Sequence, residues 1–235
     1  MDKMSDVEYI IGTNSYPGRG IALGLTPGGS IAIAYFITGR SENSKNRVFE
    51  YEEDILKAVP IDFEKITDAS LILYNALKTA GNRIIVTNGD HTDTIYEYLV
   101  KGGRFEEALR TREYEPDFPS LTPRIAGIID AENAEYKLAI LKAGTGKQPV
   151  CDRFFFEYTA VAGSGHYICT YSGDGNPIPS FAGEPLKINI PDDIKEFSDR
   201  IWDSLPHKKR VCLFVKYIDF KTGRKEHVLT NERNE

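Results

Sequence analysis

The stretch Thr87-Asn88-Gly89-Asp90-His91-Thr92-Asp93-Thr94 packs hydroxyls, an amide, an imidazole, carboxylates and a glycine directly after the apolar run Ile84-Ile85-Val86. A strand that ends in a polar, glycine-containing turn and leads into a helix suits an anion. The free N–H groups at the helix start face the ligand, and the backbone dipole favours negative charge there. Asn88-Gly89 also permits close backbone approach. The same residues read equally as an Asn-Gly turn followed by a Thr or Asp N-cap, which needs no ligand.

Two further clusters bear on that choice. Gly39-Arg40-Ser41-Glu42-Asn43-Ser44-Lys45-Asn46-Arg47 follows an apolar run and carries two arginines, a lysine and two hydroxyls. Arginine offers a planar fork to phosphate oxygens, and serine adds a neutral donor; a merely solvated basic loop is the plainer reading. In Thr122-Pro123-Arg124, proline holds Thr122 extended and Arg124 opens the next strand, so the sheet sets its direction. Upstream, Glu113-Tyr114-Glu115 supplies carboxylates and a phenol. Gly144-Thr145-Gly146-Lys147 lacks the first glycine of a phosphate loop, and Gln148 stands where Ser or Thr is needed. No HExxH, CxxC pair, EF-hand spacing or GxSxG elbow occurs, so neither a dedicated metal site nor a cofactor is expected.

The elements that must position these clusters read as mostly β. Residues 7–12, 19–25 and 30–38 are β-prone runs separated by Tyr16-Pro17-Gly18 and Thr26-Pro27-Gly28-Gly29, and 39–47 is a polar loop. Residues 50–67 carry no clear pattern, and 69–79 fits either a helix or a strand. A strand is expected at 82–86, helices at 92–100 and 104–112, and a hairpin from 124–130 and 135–142. Residues 154–161 and 166–171 are β-like, and 172–185 is a Gly- and Pro-rich loop. An amphipathic helix opens after Pro191-Asp192, with Ile194, Phe197, Ile201 and Leu205 on one face. A strand follows at 211–218, then a charged hairpin or tail at 221–234. Many antiparallel strands with grouped helices, and no regular βα alternation, make the chain α+β with helices on the outer faces of one or two sheets.

At 235 residues, one domain spanning 1–235 is the expectation. Net charge −6 argues against a general nucleic-acid binder, though local arginines can still hold a small phosphorylated ligand. No window approaches the roughly 20 consecutive apolar residues of a membrane helix, and Met1-Asp2-Lys3-Met4-Ser5-Asp6 has no secretory core. Cys151, Cys169 and Cys212 show no paired spacing, which fits buried thiols in a reduced, cytoplasmic setting.

Taken in order, Arg19 in Pro-Gly-Arg-Gly, Thr38-Gly39-Arg40-Ser41 with Asn46-Arg47, Tyr74-Asn75, residues 87–93, Tyr114-Glu115 and Thr122-Pro123-Arg124-Ile125 resemble the archaeal-type inosine monophosphate (IMP) cyclohydrolase family. The likeness covers residues 8–142 well and continues more loosely through His166-Tyr167-Ile168-Cys169-Thr170-Tyr171. Each motif alone is weak; the ordered set is specific. Departures are Asp90, where a small Ser is familiar, Asn43 and Lys45 in the basic loop, and longer stretches at 144–165 and 172–185.

The resemblance implies a four-layer αββα sandwich of two antiparallel sheets, like that of N-terminal-nucleophile hydrolases. No Cys, Ser or Thr follows Met1, so that likeness is architectural. It also implies closure of the last purine ring, on a nucleotide substrate, by a homo-oligomer, although no self-complementary patch is readable. Arg40, Ser41 and Arg47 would then hold the phosphate, with help from Arg19 or Arg124. Asn88, Gly89 and Thr92 would fix the heterocycle or ribose, and Asn46, Asp90 and Thr122 belong to the same binding set. Tyr74 and Glu115 are the proton-transfer pair, with His91 third, since it could equally brace the loop. Two other classes fit the same clusters: a nucleotide-directed hydrolase with a different amide substrate, and a nucleotide-binding module without turnover.

Overall fold

The computed structural model describes residues 6–65, 72–145 and 150–232. Met1 to Ser5, Leu71 of the ambiguous 69–79 segment, and Gly146, Lys147 and Gln148 of the rejected phosphate loop lie outside the described residues.

Thirteen strands and five α-helices are seen among the described residues. In chain order the strands are β1 (Arg19–Leu25), β2 (Ile31–Thr38), β3 (Val48–Glu52), β4 (Ile55–Val59), β5 (Tyr74–Ala80), β6 (Arg83–Thr87), β7 (Arg124–Asp130), β8 (Glu135–Ala143), β9 (Cys151–Thr159), β10 (Ser164–Cys169), β11 (Leu186–Asn189), β12 (Arg210–Ile218) and β13 (Lys225–Asn231). The helices are α1 (Val7–Gly12), α2 (Glu42–Lys45), α3 (His91–Val100), α4 (Phe105–Arg110) and α5 (Ile194–Ser204).

The strands form two antiparallel sheets, ordered β11-β10-β1-β2-β12-β13 and β3-β4-β5-β6-β7-β8-β9. β2 is buried along its whole length, as a strand must be when both of its faces are covered. One face meets the seven-stranded sheet: Leu23 of β1 lies against Gly127 of β7, where a Cβ would come within 2.7 Å of the leucine methyl. The other carries α1 and α5, whose Val7, Ile11, Phe197 and Ile201 are buried. On the far side of the seven-stranded sheet, Ile95 of α3 and Phe105, Ala108 and Leu109 of α4 pack on Ile85, Ala126 and Ile128. The result is the α+β sandwich in helix–sheet–sheet–helix layers that the sequence led us to expect.

Several local expectations are corrected. Residues 7–12 are helical: Val7 and Ile11, four apart, bury together beside α5, and that packing outweighs the β-prone side chains. The polar loop 39–47 contains the single turn α2, closed by a capping box between Ser41 and Ser44. The unassigned 50–67 region supplies β3 and β4, joined by Glu53 and Asp54, both at positive φ as a two-residue hairpin turn requires. The ambiguous 69–79 segment resolves as β5 from Tyr74 on. Residues 154–161 and 166–171 belong to different sheets: β9 pairs β8, the chain crosses over at 160–163, and β10 pairs β1. β11 was not foreseen, and 221–234 contains β13 in a hairpin with β12.

Candidate active site

A cleft of about 330 Å³ opens at the ends of β1, β2 and β5, within the usual size of small-molecule sites. Six of the residues singled out from sequence line it: Arg19, Arg40, Ser41, Arg47, Glu115 and Thr122. Tyr16, Asp117 and Tyr171 line it as well.

Local backbone chemistry delivers these groups. Gly18 sits at φ +70°, and a Cβ there would fall 2.2 Å from Thr170 Oγ1 and 2.6 Å from the Tyr171 ring. Only glycine lets the chain pass so close, and this brings Tyr16 into a stack with Tyr171, centroids 5.6 Å apart. Thr170 Oγ1 accepts the Arg19 N–H (3.1 Å), and the Thr170 N–H donates to Arg19 O (2.9 Å), fixing the start of β1. Thr122 is tied from both sides: its N–H donates to Asp117 (2.7 Å) and its hydroxyl shares a 2.7 Å hydrogen bond with Tyr171.

The inner end of the cleft is electrically coupled. Burial pushes the Glu115 carboxyl up to about 7, with Asp117 adding to the rise, although the guanidiniums of Arg124, Arg19 and Arg47 pull the other way. Burial opposes the charge on Arg19, yet Tyr16, Tyr74 and Glu115 hold its proton more firmly than usual. Burial and the neighbouring Arg19 lower Arg47. Burial raises the Tyr74 phenol, which stays neutral near pH 7 despite Arg47 and Arg19. Tyr74 does not itself line the cleft; its hydroxyl meets that of Tyr35 at 2.8 Å, a phenol from the opposite sheet.

At the outer end the Arg40 guanidinium lies over the Tyr16 ring, 5.2 Å from its centroid. It donates to Asp174 (2.6 Å) and to Gly175 O (3.0 Å). Lys209 pairs with the other Asp174 oxygen and also lies over Tyr16. One carboxylate of the 172–185 loop therefore holds two cations at the mouth.

The stretch 87–94 forms the turn into α3 and stands behind the cleft wall. Asn88 Nδ2 donates to Pro123 O (3.0 Å) and its Oδ1 accepts the Ile125 N–H (2.7 Å), riveting the turn to β7. The Thr87 and Thr92 hydroxyls meet at 2.7 Å. Asp90 takes Arg124 on one oxygen (2.6 Å) and Arg112 on the other. His91 is fully buried: Nε2 donates to Ile125 O (3.0 Å) and Nδ1 accepts from Arg124 (3.1 Å). Burial, then Arg124, hold that imidazole down to about 3, so it is neutral across the working range. A Cβ on Gly89 would meet Arg124 at 2.8 Å and Glu115 at 3.3 Å, which places this turn directly against the carboxyl. Asn46 likewise faces inward, exchanging two hydrogen bonds with the Asp62 backbone (2.7 and 2.8 Å).

The structure thus gathers the basic loop, Arg19, Glu115 and Thr122 around one cavity, and places Asn46, Asn88, Asp90, His91, Thr92 and Arg124 outside its lining, each hydrogen-bonded within the chain. Tyr16, Tyr35, Asp117, Tyr171, Asp174 and Lys209 were not found from sequence. Tyr16 carried a signal in its place three residues before Arg19, and Tyr171 in closing the looser likeness at 166–171; the others join the site through long-range pairing. A second cleft of about 270 Å³, beside α4, has its Lys137 already paired with Glu106 (2.8 Å) and Glu157 (3.3 Å). No helix among the described residues is long and apolar enough to cross a membrane.

The family model for IMP cyclohydrolase-like proteins matches residues 16–224, which hold the whole cleft. A protein of Haloquadratum walsbyi named IMP cyclohydrolase is 28% identical over 201 residues, 84% of this chain and 88% of that relative. Relatives of the same name from Methanococcus maripaludis and Methanocaldococcus jannaschii are 36% identical over 124 residues and 35% identical over 123. These alignments cover 51% and 52% of this chain, and the chain spans only 60% and 59% of those relatives' length. With nearly all of the chain from Tyr16 onward matched by one family model, the protein belongs to the IMP cyclohydrolase-like family.

Proposed function

We propose that the protein is an IMP cyclohydrolase, closing the pyrimidine ring of a 5-formamidoimidazole-4-carboxamide ribonucleotide with loss of water. The observation that carries this reading is a buried carboxyl near 7, Glu115, set among Arg19, Arg47 and a neutral phenol at one end of a cleft whose other end presents Arg40 and Ser41.

The reacting groups sit on one ring, so holding them in contact supplies much of the rate. The carboxamide nitrogen bonds to the formyl carbon, loses one proton, and the formyl oxygen gains one. The former formamido nitrogen then loses its proton as the C–O bond breaks and the oxygen leaves as water. Glu115 in its acid form delivers a proton to the formyl oxygen and, as carboxylate, recovers one from nitrogen. Tyr74, kept neutral and oriented by Tyr35 just behind the lining, donates a hydrogen bond to the developing oxyanion once the seated substrate reaches between Arg19 and Arg47. Arg40 and Ser41 take the phosphate. The sequence grouped Arg47 with them, but its buried place beside Tyr74 and Arg19 suits charge developing at the reacting end. Arg124, His91, Asp90 and Asn88 hold that end in shape; Thr122 holds Tyr171 against the ligand.

A spectrophotometric ring-closure assay with the formamido ribonucleotide, on wild type and Tyr74→Phe, tests this. Turnover should fall about 100-fold in the variant while KM changes little, as for removal of a donor used only in the transition state. Wild type that binds IMP without turnover would replace this reading with a silent nucleotide-binding module.

A further inference from the structure

β9 is the last strand of the seven-stranded sheet, nine residues long, with β8 on one side only. Among the described residues no other backbone segment pairs with its outer edge. Such an edge is a template for another strand unless it is blocked. Which groups it offers follows from the ladder. The Gly144 N–H donates to Val150 O (2.8 Å) and the Ala160 N–H to Ala134 O (2.8 Å), so even-numbered residues hydrogen-bond inward to β8. The N–H and C=O groups of Cys151, Arg153, Phe155, Glu157 and Thr159 therefore point to the open edge. Among the described residues only the Cys151 carbonyl is otherwise engaged, accepting from the Arg153 guanidinium at 3.2 Å.

The sequence of this edge, Arg153-Phe154-Phe155-Phe156-Glu157, complements itself when reversed. Antiparallel pairing about a two-fold axis at Phe155 sets Phe155 against its own copy and Arg153 against Glu157, twice. The register also obeys the hydrogen-bond parity, since each paired position is odd-numbered and faces outward. On the other face of the strand, Phe154, 43% exposed here, would lie against Phe156 of the second copy. Arg153 already donates three of its five N–H groups, two to Arg112 O (3.2 and 2.6 Å) and one to Cys151 O (3.2 Å), which leaves two for a partner carboxylate. Glu157 has Lys137 beside it at 3.3 Å, and Arg153 has Glu113 at 4.0 Å, yet the Glu157 side chain remains 66% exposed.

We propose that this protein self-associates through β9, two copies joining their seven-stranded sheets edge to edge about Phe155. Opposite charges at directly paired positions fix the register, and the symmetric fit selects a second copy of this chain over a foreign strand.

Sedimentation velocity on the full chain tests it. Wild type should sediment at twice the 26.4 kDa of one chain or an even multiple of it. Glu157→Arg sets arginine against arginine at both symmetric positions and should weaken association on the order of 100-fold. Arg153→Glu should do the same with two glutamates. Mixed in equal amounts, the two variants restore both opposite-charge pairs and should associate as tightly as wild type. A monomeric wild type, an unaffected Glu157→Arg, or folded variants that fail to associate on mixing would each overturn the proposal. Should either variant misfold, amide exchange on wild type decides the matter. The Phe155 and Glu157 amides should exchange more slowly as concentration rises, and exchange independent of concentration rules the pairing out.

Discussion

Glu115 is the residue on which the chemistry and the stability of the protein pull in opposite directions. Its carboxyl is held at about 7, above the ordinary 4.5. In the proposed cycle it must start protonated, so kcat should fall as pH rises through about 7, and Glu115→Gln should remove both that limb and most turnover. Folding responds with its own sign. Below 4.5 the carboxyl is neutral whether the chain is folded or not; between 4.5 and 7 only the unfolded chain ionises, and stability is lost. Glu115→Gln should therefore melt on the order of 5 °C higher than wild type at pH 8 and at the same temperature at pH 4, read by circular dichroism. At this scale the sequence was partly legible. Arg19, Arg40, Ser41, Arg47 and Glu115 were visible because each stands in a polar cluster at an element's end. His91 and Asn88 were visible too, but sequence cannot tell a side chain that faces a ligand from one that fastens a turn to the next strand; the Ile125 and Pro123 backbone partners show the fastening.

Among the elements, the loop at 172–185 matters most for binding. Asp174 occupies Arg40 and Lys209 at the mouth of the cleft, where an incoming phosphate would compete for the same two cations. Asp174→Asn should lower KM several-fold and strengthen inhibition by inorganic phosphate, whereas Arg40→Ala should raise KM with kcat largely kept. An Arg40→Ala variant with reduced kcat and unchanged KM would move the phosphate elsewhere. The sequence showed this loop's length and its Gly and Pro content but not that Asp174 returns to a residue 134 positions away. The same limit explains α1. Six residues rich in β-branched side chains look like a strand until α5, nearly 190 residues later, offers them a helical partner. By contrast α3, α5 and the β7–β8 hairpin were readable because their periodicity and turn residues are local.

For the molecule as a whole, the two sheets are fastened at one edge by a charged clip. Lys216 of β12 is buried to 1% and donates to Asp54 Oδ1 (2.9 Å) in the β3–β4 turn, which Tyr51 (2.6 Å) and Lys225 also bind. Those partners hold the Asp54 carboxyl well below the usual carboxylate range, while burial lowers Lys216. Asp54→Ala would strand an ammonium between the layers and should cost about 2 kcal/mol, discounted for the partial exposure of Asp54, or on the order of 5 °C in Tm. Lys216→Met should cost less, because it removes the buried charge together with its need for a partner. A sandwich of two sheets was legible in the alternation of strands and turns, but their mutual alignment was not, since it depends on contacts of this kind. That alignment bears on the reaction. The Tyr35–Tyr74 hydrogen bond crosses from one sheet to the other beside the cleft, so the proposed active site would work as a vernier between the two layers. A slip too small to break any strand pairing would still part the phenols. In rising urea, turnover should vanish at a lower concentration than the far-ultraviolet circular dichroism signal, and coincident loss of the two would show that the layers never slide before they melt.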